Sequence, residues 1–172
     1  MDAAEEDFYE GRWQKTSLEA ISARAGVTKQ TLLRQFGSKD GLLLQTLMRG
    51  AAQVLEQRWS APVGDISGAV ENLVDHYEKW GERALRIGDW QSGPPLLAKM
   101  STAARQVHYD WVEHTFAPWL EVLDEQARRR RRAALIAVCD VQAWRVLSHD
   151  LGLPRAELQR ILIDMIERLV AE

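Results

Sequence analysis

The stretch TSLEAISARAGVTKQTLLRQF, Thr16–Phe36, decides the fold of the amino-terminal part of this chain. It reads as two short helices joined by Gly26-Val27-Thr28. Thr16 suits the N-cap of the first, with Glu19 three residues on completing a capping box. Gly26 suits the left-handed position that ends that helix, and Thr28 suits the N-cap of the next. Leu18, Ile21, Ala25, Val27, Leu32 and Phe36 are expected to form a minimal core, with the small Ser22 where the helices cross. This is the anatomy of a helix-turn-helix, whose second helix enters the DNA major groove.

The polar residues agree. With Leu32 and Phe36 inward, Lys29, Gln30 and Arg34 fall on or near the outward face. Lys and Arg donate to guanine O6 and N7, and Gln pairs with adenine. The Thr28 and Thr31 hydroxyls suit phosphate oxygens. Lys39 opens the following helix, where free N–H groups and a cation together would hold a phosphate. From Arg12 to Arg49 seven basic residues face two acidic ones, inside a chain whose formal charge is −3. A local basic excess of that kind implies a polyanion surface.

Outward from this stretch the pattern stays helical. An amino-terminal helix is expected from about Asp2 to Glu10. Ser38 is the expected N-cap of a fourth helix reaching Trp59, with Leu43, Leu44, Leu47, Met48, Ala51 and Leu55 as its apolar residues. Ile66, Val70, Leu73, Tyr77, Trp80, Ala84 and Ile87 alternate in steps of four and three, a sustained buried stripe, interrupted by Gly68 and Gly81. Pro94 and Pro95 suit the entry to another helix, which Pro118 kinks or ends. Two last helices are expected over about Asp124–Asp150 and Arg155–Val170. With 172 residues, 46% of them hydrophobic and 27% charged, the chain has the balance of a packed globule. One cysteine excludes an internal disulfide framework and fits a reducing, cytoplasmic setting. No run approaches the ~20 apolar residues of a membrane span, so no membrane partner is expected. The acidic opening, Met1 to Asp7, is unlike a signal peptide.

In one register, Thr16, Ser17, Ile21, Ala25, Gly26, Val27, Thr31, Leu32, Phe36, Ser38, Lys39 and Leu42 match the pattern of the DNA-binding domain of TetR/AcrR-family transcriptional regulators, which the stretch Thr16–Leu44 resembles. Asp140–Leu162 also looks like members of that family. The resemblance implies an all-α protein with a helix-turn-helix domain over residues 1–50 and a helical effector-binding and dimerisation domain over 51–172. It implies a homodimeric, ligand-responsive regulator, usually a repressor, that binds a palindromic double-stranded operator and is not an enzyme. The DNA-binding residues it assigns are Thr28, Lys29, Gln30, Thr31, Arg34, Gln35 and Lys39. Two positions depart from the pattern. Leu33 stands where an aromatic residue normally touches the DNA backbone, and Gln35 replaces the usual His. The basic arm that usually precedes the first helix is not among these residues.

The second half suggests a sensor and an interface. Ala133 to Leu147 is apolar over most of a helix circumference and must be covered on two sides. A two-fold partner giving the same pair of helices makes a four-helix bundle. Val141, Trp144, Leu158, Ile161, Leu162, Met165 and Leu169 are the expected dimer residues. Aromatics crowd the same region, Trp90 and Trp119 among them. Trp59, Tyr77, Trp80, Met100, His108, Trp111 and Cys139 are the candidates to line a pocket for a small apolar or aromatic effector, either a flat molecule or a lipophilic cation drawn to indole faces. Each of these aromatics also suits a plain core role. The four histidines lack metal-ligand spacing, and no cofactor is expected. Arg128–Arg132 reads as a solvated helix start, with Asp124 and Glu125 pairing to Arg128 and Arg129. The rivals are a constitutive DNA-binding regulator without a pocket and a small helical protein-interaction module.

Overall fold

A computed structural model describes residues 1–88 and 95–171, and every described element is helical. Trp90, Gly93 and Pro94, and the side chain of Ile87, lie outside the description. The helices are α1 (Asp2–Tyr9), α2 (Leu18–Arg24), α3 (Lys29–Phe36), α4 (Lys39–Trp59), α5 (Ile66–Gly88), α6 (Pro95–Thr115), α7 (Ala117–Leu120), α8 (Glu125–Val138), α9 (Val141–Arg145) and α10 (Arg155–Ala171), with a π-helical turn at Val146–Asp150. The contacts divide the chain into two units, with the division inside α4 between Val54 and Leu55.

In the first unit, the α2–α3 turn follows from local chemistry. Ser17, not Thr16, caps α2, its hydroxyl accepting from Ala20 N–H. Thr16 instead donates to the carbonyl of Arg12, so the capping box expected one residue earlier does not form. Gly26 takes φ +66°, and Val27 N–H returns to the Ser22 carbonyl while Gly26 N–H returns to that of Ala23. This pair of bonds is a Schellman motif, and only glycine enters it without a Cβ penalty. Thr28 then caps α3 by accepting from Thr31 N–H, and Ser38 accepts from Gly41 N–H at the head of α4.

The core of this unit is larger than the helix-turn-helix alone. Ile21, Ser22, Leu32 and Phe36 are buried together with Ala4, Phe8, Trp13, Leu42, Leu43, Thr46 and Leu47. Ala25 and Val27, expected inside, are exposed, because the glycine turn carries them away from the helix crossing. Leu44, Met48, Ala51 and Leu55 of α4 are likewise exposed, and the inward stripe is Leu42, Leu43, Thr46 and Leu47.

In the second unit, α10 packs on α5 and α8, and α9 packs on α5. Val70, Leu73, Val74 and Tyr77 of α5, Trp111 and Val112 of α6, Phe116 at the head of α7, and Leu135, Leu158, Leu162 and Ile166 fill the center. The expected helix over Asp124–Asp150 is broken at Cys139-Asp140. Asp140 caps α9 by accepting from Gln142 N–H, and Tyr77 Oη donates to the Cys139 carbonyl at 2.8 Å, so the break is satisfied on both sides. The arginine run also differs from expectation. Asp124 is spent as the α8 N-cap, and Arg128 and Arg132 both bind Glu113 on α6. Three residues expected at a two-fold interface, Trp144, Leu158 and Leu162, are buried in the chain's own core. Val141, Ile161 and Leu169 are half-buried, and Met165 is 43% exposed.

Gly81 explains why α5 tolerates a glycine in mid-helix. A Cβ there would lie 2.5 Å from the Trp144 ring. Gly81→Ala is therefore expected to destabilise the protein by roughly 1–3 kcal/mol through overpacking, despite alanine's better helix propensity. Gly50, within α4, has nothing within 4 Å of its own virtual Cβ, so Gly50→Ala is expected to be neutral or stabilising by up to about 1 kcal/mol. Denaturant unfolding of the two variants checks the pair.

Candidate functional site

The capped turn, with Leu32 and Phe36 as the inward pair, leaves the rest of α3 facing water. Thr28, Lys29, Gln30, Arg34 and Gln35 are exposed and Thr31 is half-exposed. Leu33 is 37% exposed. The Thr28 and Thr31 hydroxyls bond to each other at 2.9 Å. The Lys29 ammonium is paired with Glu19 of α2, which holds that carboxylate below its usual range. Lys39 is half-buried, donates to the Trp13 carbonyl and sits 4.9 Å from the center of the Trp13 ring.

The basic excess is smaller in space than in sequence. Asp7 of α1 is buried and takes Arg24 of α2 and Arg12. Burial opposes its ionisation, but the two guanidiniums outweigh that and keep its carboxyl below the ordinary value. Arg49 binds Asp2 and Glu5, and Arg12 also binds Glu6 and Glu10. The acidic α1 thus consumes three of the seven basic residues. Among the described residues, Lys15, Arg34 and Lys39 have no acid within ion-pair distance.

Residues expected at an effector site divide between core and surface. Tyr77, Trp80, His108, Trp111 and Cys139 are buried, Met100 is half-buried, and Trp59 is exposed with its ring 5.3 Å from that of His114. A groove of about 390 Å³ lies elsewhere in this unit, lined by Glu82, Leu85, Arg86, Arg145 and His149. It holds none of the expected residues.

Two residues that the sequence reading did not single out complete this core, Arg58 and His76. Arg58 Nη2 reaches His108 Nδ1 at 2.9 Å, and its guanidinium lies 4.5 Å from the Trp111 ring and 5.4 Å from that of Tyr77. His76 Nδ1 donates to Gln57 Oε1 at 3.0 Å. The available signal was periodicity: Leu47, Val54 and Arg58 recur in steps of seven and four, which puts a charge on a stripe of buried and half-buried positions. Burial, reinforced by Arg58, pushes His76 down to about 2 and lowers His108 as well. Burial raises the Cys139 thiol to about 12, so it stays protonated.

Neutral histidines in the fold have a sign that can be checked. In the unfolded chain both titrate near about 6.5, so below that pH the unfolded state binds more protons and stability falls. The limiting slope is about 1.4 kcal/mol per histidine per pH unit. Melting temperature is expected to be flat above about pH 7 and to drop from there toward pH 5, and His76→Gln should remove part of that drop. A Tm unchanged over this range contradicts the buried, neutral state.

Among the described residues no helix is long and apolar enough to cross a membrane, and no three metal-ligating side chains cluster. Comparison with curated proteins and with solved structures gives no match. Residues 1–46, which include α1, α2, α3 and the start of α4, match the family model described as bacterial regulatory proteins, tetR family. The match covers the amino-terminal domain and supports a DNA-binding regulator of the tetR type.

Proposed function

We propose that this chain is a homodimeric, effector-released repressor. Its α3 reads the major groove, with residues 1–50 as the operator-binding domain and 51–172 as the effector-binding and dimerisation domain. One observation carries the reading: α3 buries only Leu32 and Phe36, leaving Thr28, Lys29, Gln30, Arg34 and Gln35 outward in a domain that matches a DNA-binding family. Arg34 has the geometry-independent advantage of lacking an acid partner among the described residues, so it meets a guanine edge at no ion-pair cost. Lys29 has to leave Glu19, but an exposed pair is worth only about 0–1 kcal/mol and a phosphate or base edge replaces it. Lys39 spends one N–H on Trp13 and keeps two for a phosphate at the head of α4. The Thr28 and Thr31 hydroxyls add phosphate contacts. Leu33 contributes an aliphatic surface where the family pattern has an aromatic residue.

Dimerisation uses what the second unit leaves uncovered. Ala133 and Ala137 of α8 and Met165 of α10 are exposed, and Val141, Ile161 and Leu169 are half-buried. A two-fold partner laid on these helices closes a four-helix bundle and presents two copies of α3, about 34–36 Å apart for successive major-groove turns. The effector enters among Tyr77, Trp80, His108 and Trp111 and favours a dimer whose α3 spacing no longer fits DNA. Effector and operator then weaken each other by one factor, typically ~1–3 kcal/mol of coupling.

Selection of bound duplexes from a random pool tests the class, and a palindromic consensus is the expected result. On the selected duplex, Arg34→Ala should cost roughly 1–3 kcal/mol and relax preference at one position. Lys39→Ala should weaken all duplexes alike and lower the salt slope by about 1. Glu19→Gln should tighten binding to every sequence, because it frees Lys29 and removes an anion from the face. Anisotropy titrations over a salt series distinguish these outcomes. A pool that yields no enriched duplex overturns the reading.

A further inference from the structure

The second unit buries a cation that its own carboxylates do not meet. Arg58 is 3% exposed, and among the described residues no carboxylate pairs with it. The group that Nη2 of Arg58 bonds is neutral. His108 Nε2 lies 3.0 Å from the carbonyl of Ile136, which can only accept, so Nε2 carries the ring proton and Nδ1 is the acceptor for Arg58. The faces of Trp111 and Tyr77 lie against the guanidinium. Two π faces and one imidazole offset part of the cost of taking a guanidinium out of water; they do not replace a counter-ion.

The two unmet groups where the guanidinium meets the Trp111 ring have a common sign. Arg58 Nη1 is buried without an acceptor, and so is Nε1 of Trp111, whose ring the guanidinium covers. Both are donors. A neutral apolar guest leaves both unpaired, and a cationic guest meets like charge on ring faces that the guanidinium already occupies. A carboxylate brings two acceptor oxygens and one negative charge, the complement of the two donors and the cation.

We propose that Arg58 and Trp111 form the polar end of a ligand site in the second unit, and that its ligand is a small organic acid, with its carboxylate on Arg58 Nη1 and Trp111 Nε1 and its planar apolar body against Tyr77 and the neighboring rings. Trp111 is fully buried, so the ligand selects an opened arrangement of these side chains. The role of the ligand as effector rests on the regulator reading; the site and its chemistry do not.

The test uses the whole chain, tryptophan fluorescence and thermal melting. The probes are benzoate, phenylacetate and hexanoate, with benzamide, benzylamine and inorganic phosphate at matched ionic strength as comparisons. At about 10 mM, at least one carboxylate is expected to raise Tm by roughly 2–4 °C and to change the fluorescence saturably, while benzamide and benzylamine do neither. Arg58→Met should weaken the carboxylate response about tenfold or more and melt at or above the parent, since an unpaired buried charge is gone. Trp111→Phe keeps the ring, removes one donor and should weaken the response less. Equal responses to benzoate and benzamide, a response that survives Arg58→Met, or no response to any carboxylate overturns the proposal. So does an equal effect of inorganic phosphate, which would mark an inorganic-anion site. If Arg58→Met does not fold, the carboxylate-against-amide comparison on the parent and Trp111→Phe decide alone. Duplex binding is measured separately: a chain that selects duplexes and ignores carboxylates keeps the regulator reading and loses this one, and the opposite pair of results does the reverse.

Discussion

Leu32 and Phe36 set the terms for the amino-terminal unit. They are the two side chains that α3 gives to the core, and everything else on that helix is left for a partner. An eight-residue helix is far too short to persist alone in water, so its shape depends on that pair and on the capped turns around it. The Schellman turn at Gly26 and the Thr28 cap fix where α3 starts, and Gly37, at φ +74°, ends it. A reading helix held by so few anchors needs the rest of the domain to supply the burial. Phe8, Trp13, Leu42, Leu43 and Leu47 do that.

The local chemistry of this unit was legible in sequence because turns and caps depend on neighbors within a few residues. Gly26 and Thr28 took the roles their residue types imply, and Ser17 displaced Thr16 by one position because either hydroxyl can cap. The charge pattern was less legible for a physical reason. Counting Arg12 to Arg49 leaves out α1, and α1 folds back so that Asp2, Glu5 and Asp7 take Arg49, Arg24 and Arg12. The pairs of Arg24 and Arg49, seventeen to forty-seven residues apart, carry no periodic signal. The net effect narrows the free positive charge toward Lys15, Arg34 and Lys39, with Lys29 held by one exposed and easily exchanged partner.

In the second unit, helix periodicity located α5 and α10 well, since a stripe in steps of three and four leaves little choice of inward face. It could not say which covering element each stripe meets. Leu158 and Leu162 lie on a stripe that suits an interface or a core equally, and contact with α5 and α8 decided for the core. The break at Cys139-Asp140 was hidden for a similar reason. An apolar run from Ala133 to Leu147 reads as one helix, and only the Asp140 cap and the distant Tyr77 hydroxyl on the Cys139 carbonyl make interruption as well satisfied as continuation.

Arg58 is the place where packing logic and this sequence disagree. A core shaped by stability alone has no use for a guanidinium at that position, because methionine or leucine there leaves neither a desolvated charge nor an orphaned donor. The cost extends to its neighbors. His76 and His108 are held neutral by burial and by the same charge, which ties the stability of the unit to pH. Trp111 places a hydrogen-bond donor where the chain offers it no acceptor. A buried cation without a counter-ion beside an orphaned indole donor marks this cluster as serving something other than packing. The donors, the cation and the aromatic faces select for the sign and shape of what completes them, and in this core the missing piece is an anion on a flat apolar body.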